Sequence, residues 1–325
     1  MKLVLLSLPL ALIGPLGCVD TSPATGSLDQ GLVNAPVDQG DAWAVGVCAG
    51  PLNEDPAAGP IGACLTPETR CTGSLIAPDL VLTARHCVHV IDWSQATDFC
   101  SGSFTTTPIT DAPVHVTTSL SVLGDHPSWE LVDEILYPDT HTTCDDDVVL
   151  LRLHHAYSRH VARPVAVDLR DLVGHAPREV AVVGRGVIDV TFDTTDYSQI
   201  SIDDGGLMKR KLEHIPFECV SDSDGGCVSP DIGGDFAASS GYLMFGNSTL
   251  PGDSGSGVLR QASYTRGRPQ IVGVTSAGTA DPVTGKPNTS FATRLDIHRA
   301  FIQGALHHCG HDDLVAASES AQLAE

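Results

Sequence analysis

A chain of 325 residues with 42% hydrophobic content can bury a large core and lacks the composition of a disordered or fibrous protein. Its 40 acidic residues against 18 basic ones, a formal charge of −22, oppose nucleic-acid binding and favour solubility. Glycine and proline, at 32 and 21 residues, suit many short strands joined by turns, and ten cysteines suit an oxidising compartment.

In chain order, residues 1–18 read as an export signal. Lys2 supplies the positive start, and Leu3 to Ile13 form an apolar core too short to span a membrane. The end, Pro15-Leu16-Gly17-Cys18, has two readings: ordinary signal cleavage, or a bacterial lipoprotein site at which Cys18 is acylated. Either sends the chain out of the cytoplasm, secreted or held at the cell envelope, and no later run is long enough for a transmembrane helix. Residues 19–41, rich in Thr, Ser, Gly, Pro and Asp, read as a propeptide or linker.

Alternation from Ala42 to Val47 predicts the first strand. Further strands are predicted at Gly73–Ile76, Leu80–Thr83, Val114–Thr117 and Val148–Leu153, with loops at 49–70 and 92–113. A second group follows at Glu179–Gly184, Gly241–Phe245 and Gln270–Thr275, and Phe291–Leu295 then leads on toward the end of the chain. A terminal helix is expected over 296–308 with Asp296 as its N-cap, then a mobile acidic tail over 310–325. The fold class is all-β with one C-terminal α-helix.

Three fragments carry chemistry: Leu82-Thr83-Ala84-Arg85-His86-Cys87, Asp147-Val148-Val149-Leu150-Leu151, and Pro251-Gly252-Asp253-Ser254-Gly255-Ser256-Gly257. A serine hydroxyl is a weak nucleophile that needs an adjacent base, and histidine titrates near neutrality. A buried carboxylate must hold that base in one tautomer. Ser254 is therefore assigned as nucleophile, His86 as general base and acid, and Asp147 as the orienting group. Asp145 and Asp146 are runners-up for the carboxylate, and the bland reading of all three is a solvated acidic loop. Asp147 is preferred because it abuts an apolar strand.

In the order His, Asp, Ser these fragments resemble the trypsin/chymotrypsin family of serine endopeptidases, in its secreted, bacterial-type form. The resemblance implies two packed six-stranded antiparallel β-barrels, one over about 42–163 and the other over 164–295, within a protease domain of 42–309. The gaps, 61 residues from His86 to Asp147 and 107 from Asp147 to Ser254, leave room for the intervening strands. It implies oxyanion donors at the backbone N–H groups of Gly252 and Ser254, and a disulfide between Cys71 and Cys87 beside His86. Cys48–Cys64, Cys100–Cys144 and Cys219–Cys227 are further pairings to be tested, which leaves Cys309 without a partner unless Cys18 serves.

The family's specificity pocket maps onto Ser248 at its base, Ser276, Ala277 and Gly278 along one wall, and Ser290 on the other. With no aspartate at the base, an uncharged residue before the scissile bond is expected. Leu32 in Leu32-Val33-Asn34-Ala35 resembles the family's mature start, whose amine would pair with Asp253 after cleavage by an activating protease. Two departures stand out: Arg85 occupies a position usually held by a small residue, facing either solvent or the cleft, and Ser256-Gly257 replaces Gly-Pro.

Other motifs carry less. His154-His155 and His307-His308-Cys309-Gly310-His311 hold metal-ligand residue types, but the former follows a strand and the latter ends a helix, where histidine is favourable. No metal and no cofactor is expected. Asn247-Ser248-Thr249 and Asn288-Thr289-Ser290 fit the glycosylation pattern but fall at the predicted pocket, favouring the unmodified reading. The chain is expected to act on peptide or protein substrates as a monomer, without nucleic acid or a membrane span. One rival is a catalytically silent, protease-like binding protein at the cell envelope. Another is an esterase of different fold, whose order would put histidine after the nucleophile.

Overall fold

The computed structural model describes Leu32, Cys227 and residues 35–66, 69–97, 99–124, 126–192, 199–221, 241–246, 249–280 and 287–315. The signal and linker expectations for 1–31, including Cys18, lie outside the described residues, as does Ser248.

Strands β1 (Ala44–Ala49), β2 (Arg70–Ala77), β3 (Leu80–Thr83), β4 (His89–Asp92), β5 (Ser103–Pro108), β6 (Val114–Thr117), β7 (Trp129–Leu136) and β8 (Val149–Leu153) make up the first half. Six of them close a barrel in the order β1-β2-β3-β8-β7-β6, every pairing antiparallel. The second half holds β9 (Ala166–Val167), β10 (Glu179–Gly184), β11 (Asp189–Phe192), β12 (Gln199–Asp203), β13 (Arg210–Val220), β14 (Tyr242–Gly246), β15 (Gly257–Arg260), β16 (Gln270–Ala280) and β17 (Pro287–Arg294). Here β15-β10-β13-β14-β17-β16 closes through the β15–β16 pairing, with β9 added parallel to the start of β16. These are the two six-stranded antiparallel barrels that the family resemblance implied.

Burial explains why these segments read as strands. In β10, Val180 and Val182 enter the second barrel's core with Ile215, Leu243, Phe245, Val258 and Ala292. The alternate residues Ala181 and Val183 join the larger cluster that includes Leu75, Leu82, Leu150 and Leu151 of the first barrel. Both faces of β10 are covered, so the sequence shows an unbroken apolar run instead of alternation. Each fully buried Leu or Val contributes about 1.5–3 kcal/mol relative to exposure. The predicted 92–113 loop instead contains β5, paired with β4 as a two-stranded hairpin. Its Ser103-Phe104-Thr105-Thr106-Thr107 run buries only Phe104, which left little apolar pattern to read.

Helix α1 (Gln261–Thr265) is a single short turn, and α2 (Arg299–His308) is the terminal helix, burying Ile302, Ala305 and Leu306. Asp296 is not its cap. The Asp296 carboxylate pairs with Arg294 at 2.6 Å and accepts the Leu172 N–H at 2.8 Å, and the helix starts three residues later, after His298. Nor does packing stop at Cys309. His311 Nε2 meets Asp79 Oδ1 at 2.5 Å, and Leu314 and Val315 pack on the larger core cluster, so the expected tail is docked as far as 315.

Disulfides join Cys48–Cys64, Cys71–Cys87, Cys100–Cys144 and Cys219–Cys227, while Cys309 has no disulfide partner among the described residues. Cys100 and Cys144 of the first half pack with Cys219, Cys227, Tyr242, Met244 and Phe291 of the second, so apolar contact spans the seam between barrels.

Candidate active site

The seam brings the three chemical fragments to one place. His86 lies in the single 3₁₀ turn Arg85–Cys87 that follows β3, and the Cys71–Cys87 disulfide ties that turn to β2. Asp147 lies two residues before the β8 segment and is almost wholly buried. One carboxylate oxygen, Oδ1, accepts the His86 backbone N–H at 2.9 Å, and Oδ2 lies 2.7 Å from His86 Nδ1. An ionised carboxylate can only accept, so Nδ1 carries the proton and Nε2 keeps its lone pair.

The Ser276 hydroxyl, on β16 of the other barrel, donates to the same Oδ2 at 2.5 Å. The family resemblance assigns Ser276 to a pocket wall; in the structure its side chain supports the carboxylate. Burial raises the Asp147 pKa, but the His86 charge and the hydrogen bonds from His86 and Ser276 outweigh it, leaving the group below the usual carboxylate range.

The three consecutive aspartates have three separate partners. Asp145 Oδ1 accepts the Gly241 N–H at 2.7 Å, and its carbonyl oxygen meets His298 Nε2 at 2.6 Å. Asp146 accepts from Thr140 Oγ1 at 2.5 Å and from the Thr142 N–H at 2.8 Å. A solvated acidic loop would leave these carboxylates exposed, whereas Asp146 and Asp147 are buried.

Arg85 faces neither solvent nor cleft. It is fully buried, with its guanidinium 4.4 Å from the Tyr137 ring centroid and 5.0 Å from that of Phe104. It donates to the Thr140 carbonyl at 2.9 Å and meets His141 Nδ1 at 3.1 Å, bracing the loop that leads into Asp147.

Ser254 is half-buried in a tight turn whose glycines are obligatory. Gly252 has φ +97° and Gly255 φ +85°. A Cβ on Gly255 would stand 2.0 Å from Thr83 Oγ1 and 2.2 Å from the Thr72 carbonyl oxygen. The Ser254 carbonyl accepts the Thr72 N–H at 2.8 Å and lies 3.9 Å from the Cys87 sulfur, beside the histidine turn. Among the described residues, the Ser254 hydroxyl makes no hydrogen bond. Contacts of this type are commonly long or misaligned until substrate binds.

Among the described residues the backbone N–H groups of Gly252 and Ser254 also have no acceptor, although their neighbours are all engaged. Asp253 N–H donates to Leu250 O and Gly255 N–H to Thr275 O, at 2.9 and 2.8 Å. Two unpaired donors two residues apart are what an oxyanion would require.

At the predicted pocket, Gly278 and Ser290 face each other across the β16–β17 pairing. Ser290 is buried, and Thr249 Oγ1 donates to its Oγ at 2.9 Å. Among the described residues, the metal-ligand types that cluster are Cys71, His86 and Cys87, and both thiols are spent in a disulfide. His154 and His155 bond through Nδ1 to Asp133 and Glu130, at 2.9 and 2.8 Å.

The electrostatics around His86 give its ring a raised pKa. Burial opposes charging the ring, the Asp147 carboxylate and its hydrogen bond favour it, and the balance lies above the ordinary value of 6.5. A general base works only when neutral, so with His86 in that role kcat/KM is expected to rise with pH along a limb whose midpoint lies above about 6.5. A pH profile of kcat/KM checks this, and a midpoint below that value would contradict the balance of effects around His86.

A protein-family model described as Trypsin matches residues 53–302, a span that contains His86, Asp147 and Ser254. No curated protein matches the chain.

Proposed function

The chain belongs to the trypsin family of serine proteases, and from that premise we propose that it is an exported endopeptidase using Ser254, His86 and Asp147. Ser254 Oγ bonds to the scissile carbonyl carbon as its proton passes to His86 Nε2. The carbonyl oxygen becomes an oxyanion held by the Gly252 and Ser254 N–H groups, while Asp147 stabilises the imidazolium. Collapse breaks the C–N bond, His86 gives its proton to the leaving amine, and an acyl-Ser254 ester remains. Water, deprotonated by the same Nε2, then releases the acid and restores the hydroxyl.

The observation that carries this reading is the pair of N–H groups, at Gly252 and Ser254, that have no acceptor among the described residues while the Asp253, Gly255 and Ser256 N–H groups are engaged. A fluorophosphonate probe should label native protein at Ser254, with the adduct located by peptide mass spectrometry. Absence of labelling in processed protein would overturn the reading in favour of a silent binding protein.

The same site supports an uncharged preference before the scissile bond. Ser248, Ala277, Gly278 and Ser290 contribute no carboxylate, and Ser290, buried and bonded to Thr249, stands where the family usually has glycine. Fastest cleavage after Lys or Arg in a peptide panel would contradict this. Four disulfides suit an oxidising compartment, and no helix among the described residues is long and apolar enough to cross a membrane. We read the leader as directing secretion or envelope attachment, with Cys18 as the anchor in the latter case, and the working form as a monomer.

Activation at Leu32 is part of the proposal. Leu32 is buried, and its Cδ1 lies 3.0 Å from the point where a Cβ on Gly184 would stand, itself 2.0 Å from Asp253 Oδ1. The Asp253 carboxylate accepts the Gly186 and Leu250 N–H groups at 2.6 and 2.9 Å, and no cation pairs with it among the described residues. Burial, only partly offset by the Leu250, Gly186 and Arg185 N–H groups, pushes its pKa up to about 7.

A carboxyl that binds its proton more tightly when folded stabilises the fold below the unfolded value, about 4, and loses that contribution as pH rises through about 7. A new amine at Leu32 would supply the missing positive charge. Melting curves at about pH 5 and about pH 8 should therefore diverge, with the unprocessed chain losing stability and a chain starting at Leu32 holding it. Parallel behaviour of the two forms, or an active enzyme with a different N-terminus, removes this step.

A further inference from the structure

We propose that the Thr72 side-chain hydroxyl is a positioning group for the oxyanion site: it reaches across from the first barrel and fixes the peptide plane between the two donor N–H groups. The inference rests on the endopeptidase reading and adds a residue to it.

Thr72 is fully buried on β2, next to the Cys71–Cys87 disulfide. Its hydroxyl donates to the Gly252 carbonyl at 3.0 Å and accepts the Arg185 N–H at 3.0 Å. The direction of these bonds is not arbitrary. The Arg185 N–H can only donate, so it occupies a lone pair of Oγ1, and the single hydroxyl proton is left for the Gly252 oxygen. The Thr72 carbonyl is itself held by Thr83 Oγ1 at 2.7 Å, so the residue cannot shift without breaking the β2–β3 contact.

What this does to the turn follows peptide by peptide. The Pro251 carbonyl accepts the Val187 N–H at 2.9 Å, which orients the plane that presents the Gly252 N–H. The next plane is held by Thr72 Oγ1 at the Gly252 carbonyl and by Leu250 O at the Asp253 N–H. The Asp253 carbonyl accepts the Ser256 N–H at 2.9 Å, orienting the plane that presents the Ser254 N–H. The plane after that is held by the Thr72 N–H at the Ser254 carbonyl and by Thr275 O at the Gly255 N–H, both at 2.8 Å.

Thr72 therefore supplies two of the fastenings. Any residue would provide the backbone N–H, but the bond to Gly252 needs a hydroxyl. Gly252 is the weak point of the turn, because a glycine at φ +97° has little steric resistance to rotation. Loss of the hydroxyl also takes from the half-buried Gly252 carbonyl its side-chain donor.

Thr72→Val keeps the shape and the N–H and removes only the hydroxyl. It should lower kcat about tenfold with KM unchanged, the size of one net hydrogen bond expressed in the transition state. A peptide boronate, whose tetrahedral adduct fills the oxyanion site, should lose affinity by the same factor. A product-like peptide that binds without an adduct should bind as before. Thr72→Ser, which restores the hydroxyl, should recover both kcat and boronate affinity.

Folded Thr72→Val with wild-type kcat and boronate affinity would overturn the proposal. So would equal weakening of boronate and product-like peptide, which marks a general structural role. If Thr72→Val does not fold, Thr72→Ala carries the same comparison, and failure of both to fold makes the hydroxyl a folding group and likewise overturns the proposal. A wild-type protein that binds no boronate and takes no fluorophosphonate defeats the endopeptidase reading itself. A reactive wild type with indifferent Thr72 variants defeats only this inference.

Discussion

Ser254→Ala is expected to lower peptide-bond turnover by about 10⁶-fold while leaving the fold and substrate affinity in place, the scale typical when a triad nucleophile is removed. On the proposed mechanism the loss is that large because the acyl-enzyme route disappears altogether. Only the oxyanion donors and substrate positioning remain, worth about 10³–10⁴ over water in such sites. His86→Ala should cost nearly as much, since the hydroxyl then has no acceptor for its proton. The double variant should be hardly worse than either single one, because the two side chains perform one step together. Steady-state rates of purified, processed variants on one peptide substrate check all three. Unimpaired hydrolysis in either single variant would end the mechanism.

Asp147→Asn is expected to reduce kcat about 10⁴-fold. Asparagine can still accept the His86 backbone N–H, now 2.9 Å from Oδ1, but its amide group would face Nδ1, now 2.7 Å from Oδ2. Nδ1 must then accept, the ring proton moves to Nε2, and the nitrogen that should take the serine proton is already occupied. The same change removes the charge that raises the His86 pKa, so the acid limb of kcat/KM should move to lower pH even as the rate falls. Asp145→Asn and Asp146→Asn are the controls. Their carboxylates contact Gly241 and Thr140 with Thr142 and not the imidazole, so neither should shift that limb. A limb that moved with Asp146 and stayed with Asp147 would reassign the triad carboxylate.

The larger elements of the fold could be read along the chain wherever apolar side chains cluster in short runs. β3, β8 and β10 are nearly or wholly buried, and Leu80–Thr83 and Glu179–Gly184 match their predicted bounds. Where burial is one-sided or interrupted, the pattern failed. β7, Trp129-Glu130-Leu131-Val132-Asp133-Glu134-Ile135-Leu136, carries three carboxylates on a half-buried surface. β13 contains Pro216 and bears basic residues at its start, Arg210 and Lys211, so it was not anticipated as an eleven-residue strand. The helix start was misread for a related reason: Asp296 looks like a cap locally, but Arg294 claims its carboxylate.

The sequence by itself determined which atoms are available for chemistry: a serine between glycines, a histidine beside a cysteine, an aspartate opening an apolar strand, and their order. Only the tertiary structure decided how they are supported. Ser276 reaches Asp147 across 129 residues, the Thr72 hydroxyl reaches the Gly252 carbonyl across 180, and Arg85 turns inward onto Tyr137 and Phe104. Three adjacent aspartates with identical local chemistry go to three different partners. The physical reason is that strand formation depends on side-chain pattern within a few residues, whereas a buried hydrogen bond depends on which groups barrel closure brings within about 3 Å of one another.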